Sequence, residues 1–177
     1  ILLFCLSHII ADAWSLDILI RDLMQTYTAL GGGVEPLLPP LSIQYKDYAA
    51  WQNQQLIDGD LHTNRQYWHS QLSGKLPVHH LPTDFPRPIT KSFEGSVLTD
   101  IIDSDTVSMA RKICRHYHVN LFSLLLSVLK VMIYHLTGDR DIIIGIPMAD
   151  RHHVDLENQI GLYLNTLVVR SAILEEE

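Results

Sequence analysis

The sequence predicts an α/β fold, an α+β two-layer sandwich of helices on a sheet. Three observations carry this. Short apolar runs of strand length alternate with longer amphipathic segments of helical period. Proline and glycine punctuate the boundaries between them. With 47% hydrophobic residues, the 177-residue chain has enough apolar material for a core.

In chain order, residues 1–6 (ILLFCL) form a continuous apolar run that suits a strand buried on both faces. A loop from His8 to Trp14 leads to Ser15, the expected N-cap of a helix running to about Leu30 and closed by Gly31-Gly32-Gly33. After the Pro-rich stretch 34–41, Ser42 is expected to cap a second helix, IQYKDYAAWQNQQL. A third, LHTNRQYWHSQL, follows Asp58-Gly59 and is expected to pack on it as a hairpin. Residues 73–92 hold four prolines and show no period, which predicts an extended linker. The domain organisation expected is therefore 1–72, the linker 73–92, and 93–177.

Beyond the linker, GSVLTDII reads as a strand, SDTVSMARKICRHYHV as a helix capped by Ser104, and NLFSLLLSVLKVMIYHLTG as a mostly buried helix capped by Asn120. DIIIGIPM is a short buried strand. A turn of helix around Leu156 to Ile160 then precedes a strand over Tyr163 to Ile173. The start lacks a methionine or leader pattern and the end, ILEEE, lacks a cap, so both ends are expected to be cut from a longer chain.

Composition narrows the function. A formal charge of −7 with 13 scattered basic residues disfavours a nucleic-acid surface. No uncharged apolar run reaches the roughly 18 residues of a membrane span. The two cysteines, Cys5 and Cys114, support neither a disulfide framework nor metal-ligand spacing, and a reduced cytoplasmic setting is expected. The pairs His79-His80 and His152-His153, and His116 with His118, lack the spacing that converges imidazoles on a metal, so no metal site is expected. Gly31 to Gly33 closes a helix and so does not cradle a phosphate.

The candidate chemistry lies in Leu6-Ser-His-Ile-Ile-Ala-Asp-Ala-Trp-Ser15. A histidine on a loop between a buried strand and a helix N-terminus is placed as a base would be, although a strand-end histidine satisfied by its neighbours is the ordinary alternative. Asp12 equally suits a charge favoured by the helix dipole. Tyr45, Tyr48 and Trp51 share one helical face, where packing is the ordinary explanation.

The motifs in their order resemble the condensation domains of nonribosomal peptide synthetases. SHIIADA stands where that family has HHxxxDG, so Ser7 occupies the first His position, His8 the second, Asp12 the Asp and Ala13 the Gly. YKDYAAW (45–51) resembles YxDYAxW, and LPTDFPRP (81–88) resembles LPTDxPRP. DIIIGIPMADR (141–151) followed by IGLYLNTLVVR (160–170) resembles the segment ending in IGxFxNTxxxR.

The resemblance implies part of a two-lobed chloramphenicol-acetyltransferase-like fold, with the end of one lobe in 1–72 and part of the other in 93–177. It implies amide-bond formation between acyl and aminoacyl thioesters, carried on the phosphopantetheine arms of upstream and downstream carrier domains next to an adenylation domain, in secondary-metabolite or antibiotic biosynthesis. No cofactor bound by the domain itself is implied. His8 would position the amine or take its proton, Ala13 N–H would help hold the oxyanion, and Asp12 would brace the loop through an ion pair with an arginine upstream of the motif. Ser7, Trp14, Ser15, Asn165 and Thr166 would support the loop or the substrate tunnel. Ala13 would be strained if the family's glycine takes φ > 0, and free of strain in a β-like backbone. The alternatives are a degenerate domain that binds carrier proteins without catalysis, an epimerisation domain, and a coenzyme A-dependent acyltransferase. Heterocyclisation members carry Asp at the position of His8, which argues against that class.

Overall fold

A computed structural model of the chain describes residues 3–59, 61–90 and 92–174. The described elements are α1 (Ala13–Gly31), α2 (Tyr45–Asp58), α3 (His62–Gln71), α4 (Ser104–His116), α5 (Leu121–Thr137), β1 (Asp141–Ala149), a 3-10 turn (Val154–Leu156) and β2 (Leu164–Ala172). β1 and β2 pair as a two-stranded antiparallel sheet. The architecture is α/β, as the alternation of elements predicts.

All the α-helices but α3, which follows Leu61 without a side-chain cap, begin where a side chain can satisfy their free N–H groups. Asp12, rather than Ser15, caps α1, accepting from Ser15 N–H. Asp103, rather than Ser104, caps α4 through Asp105 N–H and Thr106 N–H. Ser15 and Ser104 sit inside their helices, because a carboxylate just upstream reaches the same amides with a full charge. Gln44, rather than Ser42, precedes α2, and Asp47 accepts from the Gln44 N–H in a capping box. Asn120 caps α5 as expected, and Gly138 closes it with φ 75°. Residues 73–90 are irregular, as the prolines predict.

Two expected strands are not formed. Ile1 and Leu2 of the first lie outside the described residues, and Leu3 to Leu6 are irregular and exposed, Leu3 at 89%. GSVLTDII (95–102) is likewise irregular, with Leu98 97% exposed. A strand is stable only when its N–H and C=O groups find ladder partners, and among the described residues none pairs with these segments. α2 and α3, expected as a hairpin, make no extended contact among the described residues, whereas α4 and α5 pack on one another.

The chain divides into two compact units. The first is Ile1–Ser73 with Gly145–Val169, and the second is Gly74–Ile144 with Arg170–Glu177. In the first unit Tyr48, Leu156 and Tyr163 form a buried cluster with Ile43 against it. In the second unit, Ile142 is fully buried and Ile133 of α5 nearly so. There His79 accepts from Ile143 N–H at its Nε2 and meets Asp139 at its Nδ1, 2.9 Å away, so residue 79 fastens the irregular stretch to the start of β1. Arg170 grips Asp141 by Nε and Nη2, which joins the two strands by side chains as well as by their ladder.

Candidate active site

The first unit assembles three of the sequence motifs around one buried carboxylate. Asp12 Oδ1 accepts from Ser15 N–H at 2.8 Å and lies 2.7 Å from Ser15 Oγ, while Oδ2 accepts from Tyr163 N–H at 3.1 Å. Arg151 Nη2 donates to the same carboxylate at 3.2 Å and to Ser15 Oγ at 2.9 Å. Ser15 Oγ also accepts from Gly161 N–H at 3.0 Å and lies 2.8 Å from the Gly161 carbonyl, so its single proton serves either that oxygen or Asp12. The other terminal guanidinium nitrogen, Nη1, donates to the carbonyls of Leu156 and Gln159.

Asp12 forms a buried ion pair, with a partner other than the one the resemblance implies. The cation is Arg151, downstream of the motif, and not an arginine upstream of it. Both side chains are buried, so each supplies the charge that the other needs in a region with little water. Burial works to raise the Asp12 carboxyl, but the hydrogen bonds from Ser15 and Tyr163, with the Arg151 charge, outweigh it and hold the group below the usual carboxylate value.

Aromatic rings surround the guanidinium. Its carbon lies 4.1 Å from the Tyr163 ring centroid and 5.6 Å from that of Trp14, within cation–π range. Trp14 Nε1 donates to the Glu157 carbonyl at 3.0 Å. Tyr163 packs against Tyr48 in a tilted arrangement at 4.8 Å and meets Tyr45 edge-on at 5.2 Å. Burial pushes the Tyr163 hydroxyl up to about 12, against the opposing pull of the Arg151 charge. Gly161 is glycine because of space: a Cβ there would lie 2.3 Å from Tyr45 Cδ2.

The turn before the brace is exposed. Ser7 carbonyl accepts from Ile10 N–H at 3.1 Å, and His8 Nδ1 lies 2.9 Å from the Ala11 carbonyl. A carbonyl only accepts, so Nδ1 is the donor in this contact, and in the neutral ring the lone pair then lies on Nε2. Ala13 is the first residue of α1, with right-handed backbone; the one non-glycine residue of positive φ among those described is His118. Its Cβ therefore costs nothing, and its N–H belongs to the first helical turn, where no intrahelical acceptor exists.

The structure thus gathers Asp12, Trp14 and Ser15 around Arg151, and leaves Ser7, His8 and Ala13 at the exposed edge of the same loop. Asn165 lies elsewhere in the unit, lining an open groove of about 870 Å³ with Tyr48, Trp51, Leu61, Asp150 and His152. Thr166 turns its methyl toward Gly145. Arg151, Gln159, Gly161 and Tyr163 were not predicted as site residues. The available signal was a carboxylate destined for burial, which requires a cation, and ADR follows the β1 run. Among the described residues no group of three or more His, Cys, Asp or Glu side chains converges.

The fold defines the class first. The solved structure of the complex of the X-domain and OxyB from teicoplanin biosynthesis contains a chain that matches this one with a TM-score of 0.83 and 26% identity, over 94% of this chain and 38% of that one. This is the chloramphenicol-acetyltransferase-like fold. The condensation domain model matches residues 1–177, and the chain belongs to that family. Malpinin synthetase of Mortierella alpina is 41% identical over 170 residues, which are 96% of this chain and 2% of that protein. Bacitracin synthase 1 of Bacillus licheniformis is 37% identical over 171 residues, 97% of this chain and 3% of that protein. The chain spans only a few per cent of the length of these curated relatives.

Proposed function

We propose that the chain is the His-motif portion of a condensation domain in a nonribosomal peptide synthetase, joining carrier-bound acyl or peptidyl and aminoacyl thioesters through an amide bond. One observation carries this reading: His8 presents a free Nε2 on an exposed turn whose far end, Asp12, is clamped in a buried ion pair. A base must be both free to meet substrate and fixed in place.

In the reaction the acceptor amine attacks the donor thioester carbon, forming the C–N bond. His8 Nε2 orients the amine and takes the proton it loses. The Ala13 N–H, at the positive end of α1, stabilises the carbonyl oxygen as it gains charge. Collapse of the tetrahedral species expels the donor thiolate, which takes up the proton. Asp12 touches no substrate in this scheme; with Arg151 and Ser15 it holds the loop. The substrates arrive on phosphopantetheine arms of neighbouring carrier domains, with an adenylation domain supplying the activated amino acid. Intermediates that stay tied to carrier domains suit a cytoplasmic assembly. No single described helix is long and apolar enough to cross a membrane.

The test is formation of the dipeptidyl thioester on the acceptor carrier by the full-length protein. His8→Ala is expected to lower kcat by about 10²- to 10⁴-fold, the usual contribution of a general base. Undiminished product from His8→Ala ends the assignment. A second reading, a domain that binds partners without catalysis, draws on the likeness to the X-domain, solved in complex with OxyB. It requires that the unsubstituted protein bind carrier domains yet form no amide.

A further inference from the structure

We infer that Gln159 and Tyr163 act as a matched polar pair that positions Arg151, and through it Asp12 and the His8 turn; the inference rests on the proposed function above. Both residues are 1% exposed. Tyr163 O–H donates to Gln159 Oε1, and Gln159 Nε2 donates to the Ile43 carbonyl at 2.7 Å. Each residue has a second attachment at the site. The Gln159 carbonyl accepts from Arg151 Nη1 at 2.8 Å. The Tyr163 ring lies 4.1 Å from the guanidinium carbon, and its N–H donates to Asp12 Oδ2.

A phenylalanine and a methionine would fill nearly the same space without burying any polar atom. What the tyrosine and glutamine add is direction. Their bond, with the one to Ile43, fixes the Gln159 side chain and so the backbone carbonyl that holds Arg151. Removing the Tyr163 hydroxyl alone leaves Gln159 Oε1 buried without a donor, and the amide must turn to find one. The carbonyl of residue 159 moves with it, and the guanidinium follows. Removing Gln159 alone strands the phenol in the same way. Removing both strands neither side chain and leaves only the carbonyl of the partly buried Ile43 without its donor, since exchanging two hydrogen-bonded partners for apolar groups of like shape is nearly neutral. Singly damaging and jointly tolerated substitutions are the signature of such a pair.

The experiment uses the full-length protein, measuring kcat and KM for the carrier-bound acceptor together with amide hydrogen exchange of the peptide Leu6–Ser15, well below the melting temperature of every variant. Tyr163→Phe is expected to lower kcat by about ten-fold, equivalent to about 1.4 kcal/mol of barrier, with KM unchanged and faster exchange in Leu6–Ser15. Adding Gln159→Met should recover part of both losses, the remainder being due to the Ile43 carbonyl that then lacks its donor. Exchange in Leu6–Ser15 that ignores Tyr163→Phe overturns the inference, as does a double variant no better than the single one. A protein that forms no amide at all, while exchange responds and recovers as stated, sinks the functional reading and leaves the positioning pair standing.

Discussion

Two apolar-rich stretches of this chain behave in opposite ways. Residues 11–18 (ADAWSLDI) bury Ala11, Asp12, Ser15 and Ile18, whereas residues 95–102 (GSVLTDII) are irregular and exposed throughout. Hydrophobic content does not separate them. The first stretch carries a carboxylate and a hydroxyl whose partners, Arg151, Gly161 and Tyr163, belong to the same compact unit. The second offers only backbone groups and side chains that need a neighbouring strand, and none of the described residues provides one. Interlocking polar atoms, and not apolar content alone, decide which stretch is held.

The contrast can be broken hardest at Arg151. Arg151→Met leaves the Asp12 carboxylate buried without its cation, and the expected loss is about 3–5 kcal/mol by chemical denaturation. A loss under about 1 kcal/mol would show that the ion pair is not what holds residues 11–18. Next comes Gly161→Ala, whose methyl collides with the Tyr45 ring; the expected cost is about 1–3 kcal/mol, read from the denaturation midpoint.

Acid should act on the first stretch as well. The Asp12 carboxyl is lower in the folded chain than its ordinary value of 3.8. Its contribution is therefore complete above that value and fades as the pH falls through the depressed folded one. Asp12→Asn should flatten this acid limb of the stability profile, and an unaltered profile would assign the acid sensitivity elsewhere. The smallest effect belongs to the second stretch: Leu98→Ser should change stability by no more than about 0.5 kcal/mol, since its side chain is already 97% exposed.

The helices were legible because their signals are local. The period of apolar positions and a polar cap can be read from neighbouring residues, and Asn120 at the head of α5 is an instance. The misplaced caps of α1 and α4 share one cause, a serine chosen where an upstream aspartate reaches the same amides. Strands depend on partners far along the chain, so a run such as ILLFCL announces apolarity without announcing pairing. The site divides in the same way. His8, Asp12 and Ser15 stood out by motif, while Gln159 and Tyr163 did not, because a hydrogen bond between two buried side chains leaves no periodic trace. Arg151 lay between these cases, visible as a cation after an apolar strand but without an indication of which carboxylate it would meet.

The close approach of Tyr45 to Gly161 also bears on how such sequences can drift. The two positions lie far apart along the chain, yet the ring occupies the space that any side chain at 161 would need. A larger residue at 161 is admissible only after position 45 has become smaller and the Tyr163 ring, 2.9 Å from the same point, has shifted, and the reverse order passes through a damaged intermediate. Neutral change at this pair therefore has a direction, and Tyr45 must be the first to move.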